Sequence, residues 1–240
     1  MDQTFDKMFY SRCQSLAGID EVGVTALAGP LVAACVVLPR LSPTDDLSLY
    51  LIDDSKKIRE KFRNESAKIV QQNAIAYGLG VVAPMEIDAL NIYIASNLAM
   101  KRAIDDCVTR FGSRSFDFCL IDGNRDIDIN YPYHLVVKGD QKSLSIAAAS
   151  VMAKVHRDNI MKELGRIHPE YGFAKNKGYK CDEHFAGLDQ IGIWVGVHRI
   201  SMPPFTKKRG DSTEWCERRK LWVNITEHRL HNRSYYDEEQ

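Results

Sequence analysis

Four acidic residues stand where apolar runs of this sequence end. Residues 15 to 22 read as a strand closing on Asp20 and Glu21. FDFCLID closes on Asp122, and YPYHLVV is followed at once by Lys138, Gly139 and Asp140. Strand ends in one sheet can lie side by side, so these groups have a route to a common place. Carboxylates within ~4–6 Å repel and raise one another's pKa unless a cation sits among them. A donor set of oxygens alone suits a hard cation, Mg²⁺ or Mn²⁺. Two such ions ~3.5–4 Å apart can hold a phosphodiester, activate water and stabilise a leaving oxygen. The pattern leaves a second reading open, because acids also flank strands simply as loop residues. Neighbouring residues on a strand point to opposite faces. Asp20 and Glu21 therefore face one site only if the strand bends or bulges there.

The elements that would position these acids follow from periodicity. LVAACVVL (31–38) reads as a second, well-buried strand, and YGLGVVA as a third. The stretch DSKKIREKFRNESAKIVQQNAIA carries Ile58, Phe62, Ile69 and Val70 at helical spacing and reads as a surface helix. Pro84 opens a helical region, and IYIASNLAMKRAIDDCVTRF continues it to Gly112. FDFCLID and YPYHLVV supply the fourth and fifth strands. SLSIAAASVMAKVHRDNIMKEL has small residues in its first half, which suits a helix lying close on a sheet. After His168 the chain reads as irregular (HPEYGFAKNKGYKCDEHFAGL), followed by a short helix and RISMPPFTKK. The polar residues from Gly210 onward read as a docked helix or a loose tail. Five strands, the first three in close succession, predict an α/β domain with a mixed sheet.

The 240 residues are 45% hydrophobic and 27% charged, ordinary globular composition. Formal net charge is zero, so a nucleic-acid surface has to be local. MDQTFDKMFY lacks a basic start followed by an apolar core, so no leader is expected. The longest apolar run, Leu27 to Leu38, is too short to span a bilayer. None of the six cysteines forms a C-x-x-C pair, and the expectation is buried free thiols in a reducing cytoplasm.

Several stretches together resemble ribonuclease HII. They are GIDEVG with LAGPLVAACVVLP, DDSKKI, IDGN, VVKGDQKSLSIAAASVMAKVHRD and HPEYGFAKNKGY, in family order from about Leu16 to Lys208. KGD followed by SIAAAS-x-x-AK-x-x-RD is specific to that family. The resemblance implies an α/β, ribonuclease H-like mixed five-stranded sheet flanked by helices, with a C-terminal helical portion. It implies a catalytic domain over residues 1–209 and leaves 210–240 as a polar extension. The implied activity is a metal-dependent endonuclease that hydrolyses the RNA strand of RNA–DNA hybrids or cuts 5′ to ribonucleotides embedded in duplex DNA. The products carry a 3′-hydroxyl and a 5′-phosphate.

By the same resemblance, Asp20, Glu21, Asp122 and Asp140 match the family's four catalytic acids, which hold two Mg²⁺ or Mn²⁺ ions. Tyr179 matches the tyrosine that stacks on the sugar beside the ribonucleotide. Lys154 and Lys177 match positions near the phosphate backbone. Ser55, Lys56 and Lys57 form a loop start that meets phosphates or, for Ser55, caps a helix. His156 and His168 read as structural, and Asp158 as an ion-pair partner. A monomeric, cytoplasmic protein without a membrane contact is expected. The alternative is a silent or weakly active paralogue that binds nucleic-acid duplexes; the retained acids favour the enzyme.

One stretch departs from the family. A Gly-Arg-Gly or Gly-Lys-Gly loop that reads the 2′-hydroxyl is expected after the first acids, and this chain has Gly23, Val24 and Thr25. Valine cannot replace a guanidinium at a phosphate, and β-branched Thr25 lacks the backbone freedom of glycine. Losing one charged hydrogen bond typically costs ~1.5–3 kcal/mol. The expectation is an intact metal site beside weakened recognition of single ribonucleotides. His198–Arg199–Ile200–Ser201–Met202 likewise stands where the family often has HRRSF.

Overall fold

The apolar runs pair into one mixed sheet. The computed structural model describes residues 3–40, 59–206 and 213–234. Among them β1 (Leu16–Val22), β2 (Leu31–Val37), β3 (Ala76–Val82), β4 (Phe118–Asp122) and β5 (Tyr133–Val136) form a five-stranded sheet in the order β3-β2-β1-β4-β5. β2 runs antiparallel to both β1 and β3, whereas β1–β4 and β4–β5 are parallel. Every residue of β2 is buried, which is why its sequence, LVAACVV, shows no alternation.

Two compact units divide the described residues. The first holds the chain up to Val24, the described part of Leu31–Val82, and Tyr93–Arg157. It contains the sheet, α1 (Thr4–Lys7), α2 (Glu60–Asn73) and nearly all of α4 (Ile92–Phe111). It also holds the first half of α5 (Leu144–Ile167), up to Arg157. α2 begins at Glu60; the DSKK start of the expected helix, with Ser55, Lys56 and Lys57, lies outside the described residues.

The small residues at the start of α5 do what their size suggests. A Cβ on Gly18 of β1 would lie 2.1 Å from the carbonyl carbon of Ser145, so only glycine admits the helix this close. α5 is capped from a distance. Buried Asp6 of α1 accepts hydrogen bonds from the Ser145 amide (3.0 Å) and hydroxyl (2.8 Å). Behind the sheet, Phe9, Cys13, Leu16, Leu120, Val136 and Ile146 form an apolar cluster. The cysteines are free thiols, and burial pushes Cys119 up to about 12, which keeps it an unreactive apolar group.

The second unit holds Thr25–Pro30, Ala83–Ile92 and the described chain from Asp158 onward. Its helices are α3 (Pro84–Leu90), the end of α5, α6 (Phe173–Asn176), α7 (Asp182–Ile191) and α8 (Thr213–Ser234). The stretch expected to be irregular is more ordered than its residues suggest. α7 starts inside it, with Asp182 and Glu183 in its first turn, where acids favour the positive end of the helix. The polar segment after Gly210 is helical over Thr213–Ser234, the docked alternative. Trp222 of α8 is fully buried with Met161, Tyr171, Phe173 and Leu188. Its indole N–H donates to Asp189 Oδ1 at 2.7 Å, and Arg218 holds the other oxygen at 2.6 Å. No helix of the described residues is long and apolar enough to cross a membrane.

His184 and His198 lie at the centre of this unit, buried among the rings of Tyr171, Phe173 and Phe205. Burial holds both neutral: His198 is driven down to about 3, and His184 lies below its ordinary value. An unfolded histidine binds a proton below about 6.5, whereas the native His198 does not until about 3. Between these limits the unfolded chain binds more protons, so this contribution to stability is lost as pH falls. The stability gap between the wild type and His198→Asn should therefore narrow by about 2 kcal/mol from pH 7 to pH 5. Denaturant unfolding at the two pH values measures it, and a constant gap contradicts the assignment.

Candidate active site

Parallel pairing delivers the acids to one edge of the first unit. The β1–β4 register runs from Leu16↔Phe118 to Ile19↔Ile121, and its next step sets Asp20 beside Asp122. β4–β5 pairing ends at Asp122↔Val136, and the chain then turns through Lys138, in the left-handed region (φ 56°), to Gly139 and Asp140. The Gly139 amide donates to Asp122 Oδ1 at 2.6 Å. Three adjacent strands thus present their C-terminal ends side by side, the place where open sheets commonly carry their chemistry.

No bulge interrupts the β1–β2 ladder at Asp20–Glu21. The pairing Asp20↔Ala34, Glu21↔Ala33, Val22↔Val32 continues without interruption. Instead the Asp20 carboxylate folds back and accepts the Glu21 amide at 2.7 Å. Asp20 is buried, and Glu21 and Asp122 are half-buried. Burial, then the charges of Glu21 and Asp122, push the Asp20 carboxyl well above the usual carboxylate range. Hydrogen bonds from the Ser150 side chain and the Glu21 amide oppose that shift. Asp140 is buried on the turn whose amide holds Asp122.

These residues are the candidate metal donors. Their chemistry fits a hard dication: oxygen ligands only, and a buried carboxyl raised by two neighbouring negative charges. Among the described residues no three His, Cys, Asp or Glu side chains stand as a group already closed around an ion. Asp20 and Asp122 each accept a backbone amide on one carboxylate oxygen, which fixes the orientation of the group.

The other sequence-assigned residues divide between the units. Gly23, Val24 and Lys154 belong to the first, and Thr25, Lys177 and Tyr179 to the second. Gly23 has φ +96°, and a Cβ there would lie 2.4 Å from Nε of the buried Arg157. The first glycine of the loop is thus required by a residue of the HRD motif. Val24 is half-buried and Thr25 exposed. Lys154 is half-buried on α5. Lys177, also left-handed (φ 55°), is buried and its ammonium donates to the Ala174 carbonyl. Tyr179 is half-buried on the turn that follows α6. Residue types alone did not mark Ser150 or Arg157; both sit in the SIAAAS-x-x-AK-x-x-RD stretch, where their contacts were the missing information.

A mixed sheet of this order with acids at the ends of β1 and β4 and just beyond β5 is a ribonuclease H-like architecture. It resembles the crystal structure of ribonuclease H2 from Pyrococcus horikoshii OT3 (TM-score 0.62, 21% identity, covering 88% of this chain and 98% of that one). It also resembles Bst-RNase HIII in complex with Mn²⁺ (TM-score 0.67, 17% identity, covering 89% and 70%). The Ribonuclease HII family matches residues 17–206. A ribonuclease HII of Caldanaerobacter subterraneus subsp. tengcongensis is 41% identical over 193 residues, 80% of this chain and 76% of its own length. The chain belongs to the ribonuclease HII family, a family of endoribonucleases.

The raised Asp20 carboxyl makes a stability prediction. Asp20→Asn removes the repelled charge, and its amide can donate to Glu21 and Asp122. In chelator, its melting temperature should exceed the wild type's by roughly 2–4 °C, the equivalent of about 1 kcal/mol. A lower value would show that the acids do not strain one another.

Proposed function

We propose that this chain hydrolyses the RNA strand of RNA–DNA hybrids and cuts 5′ to ribonucleotides embedded in duplex DNA, with weakened recognition of single ribonucleotides. The observation that supports it is the placement of Asp20, Glu21 and Asp122 on adjacent parallel strand ends, with Asp20 raised by burial and then by the other two charges. Asp20, Glu21, Asp122 and Asp140 would hold two divalent ions, Mg²⁺ or Mn²⁺; the Mn²⁺ complex of the similar Bst-RNase HIII supports that choice. When bound, such ions supply a nucleophile from water and stabilise the leaving oxygen. The chain's part is to fix the carboxylates: the Glu21 and Gly139 amides and Ser150 hold Asp20 and Asp122 in place. Gly23, Val24, Thr25, Lys154, Lys177 and Tyr179 would contact the duplex. We assign the catalytic portion to residues 1–209, acting as a monomer, and 210–240 to an extension.

A labelled duplex with one ribonucleotide and a long RNA–DNA hybrid, each in Mg²⁺ and in Mn²⁺, test the activity. Cleavage of the hybrid is expected, weaker cleavage of the single ribonucleotide, and none by Asp122→Asn. No cleavage of either substrate would favour a duplex-binding paralogue.

The loop carries a separate prediction. Val24→Arg with Thr25→Gly should raise kcat/KM on the single-ribonucleotide duplex by roughly 10- to 100-fold, the value of one charged hydrogen bond. An unchanged rate would clear this loop of limiting recognition.

A further inference from the structure

We propose that His184 and His198 form a hydrogen-bonded relay that positions Tyr179. This rests on the reading of Tyr179 as a substrate-contacting residue. Both rings are fully buried, and neither is assigned to the chemistry.

The contacts fix the protons. The Trp194 amide lies 2.9 Å from His198 Nδ1, whose other ring nitrogen is 3.1 Å from His184 Nε2. His184 Nδ1 lies 3.0 Å from the Tyr179 carbonyl oxygen. That oxygen can only accept, so His184 Nδ1 carries the proton and its Nε2 is an acceptor. His198 Nε2 must then donate, and its Nδ1 accepts the Trp194 amide. The reverse arrangement, with His198 Nδ1 donating to the Trp194 carbonyl at 3.3 Å, would set two lone pairs together at Tyr179. That carbonyl is already bonded by the His198 amide at 3.0 Å. One direction therefore satisfies every partner: Trp194 amide to His198, His198 to His184, His184 to Tyr179. Protonation of either ring would break it, and burial among aromatic rings disfavours the proton.

The relay completes a seat for Tyr179. Its own amide donates to the Asn176 carbonyl at 3.1 Å, and the Gly178 amide to Asn176 Oδ1 at 2.8 Å. The Gly178 carbonyl accepts from the Leu27 amide at 2.8 Å, and the Leu27 carbonyl accepts from the Arg199 amide at 2.8 Å. The peptide following Tyr179 is the part left for the histidine to hold. A side chain that must meet a sugar face needs its backbone fixed, because small misplacements are costly in rate.

The test uses the full chain and needs no variant for its first part. In ¹⁵N-histidine spectra at neutral pH, His184 should show the Nδ1–H tautomer and His198 the Nε2–H tautomer. The opposite tautomers overturn the relay. Cleavage of the single-ribonucleotide duplex tests the role. An asparagine amide overlays histidine Nδ1 and a glutamine amide overlays Nε2, so His184→Asn keeps the donor to Tyr179 and His184→Gln loses it. His184→Gln should lower kcat/KM roughly tenfold, and His184→Asn should stay within about threefold of the wild type. In the Tyr179→Ala background, His184→Gln should cause no further loss. Additive losses overturn positioning, because a merely structural histidine acts whether or not the tyrosine ring is present. A silent Tyr179→Ala overturns the reading of Tyr179 itself, and the positioning role with it.

Discussion

The architecture depends on holding like charges close together. Asp20, Glu21 and Asp122 repel, and nothing in their own chemistry gathers them. The ladders do: β1 to β4 and β4 to β5 fix the spacing of the strand ends before any side chain is considered. Parallel strands lie about 4.8 Å apart, which carboxylates in water would not choose. The cost is borne by an interior of β2, α5 and the apolar cluster behind the sheet. Backbone amides at Glu21 and Gly139 then aim the oxygens. Carboxylates gathered at one sheet edge and partly withdrawn from water are the chemistry a dication would favour.

Much of this was legible in the sequence. Apolar runs ending in acids named the strands and the candidate site, because a continuous apolar run and its interruption by charge are visible one residue at a time. The small-residue start of α5 was legible for the same reason, since Gly18 and Ser145 state their own sizes. The route by which Asp20 and Glu21 share a neighbourhood was not. Alternation left open whether the strand bends or bulges there; the chain keeps its register, and a short side chain folds back on the next amide. That choice is made by hydrogen bonding within one residue and leaves no spacing to read.

The second unit was the less legible half. The stretch after His168 offers glycines, lysines and single aromatics, and reads as loop. Its order comes from partners far along the chain: Thr25–Pro30, where Leu27 meets Gly178, and the rings gathered around His184 and His198. Histidines 14 residues apart with no ligand-like spacing give no periodic signal. A buried neutral histidine counts as core, and hydropathy does not score it so. Gly23 was recognised as a loop glycine, but its neighbour Arg157 was needed to show why no side chain fits there.

α8 lies beyond the residues the family matches, yet Trp222 fills the second unit's core and Asp189 is bonded to it from α7. An appendage that had only been attached to the surface could be lost by a frameshift or an early stop without consequence. Phe185 and Phe205 pack against that indole, so a chain stopped short of Trp222 would leave a void among them. Losing the helix would therefore register first as lost cohesion of the second unit.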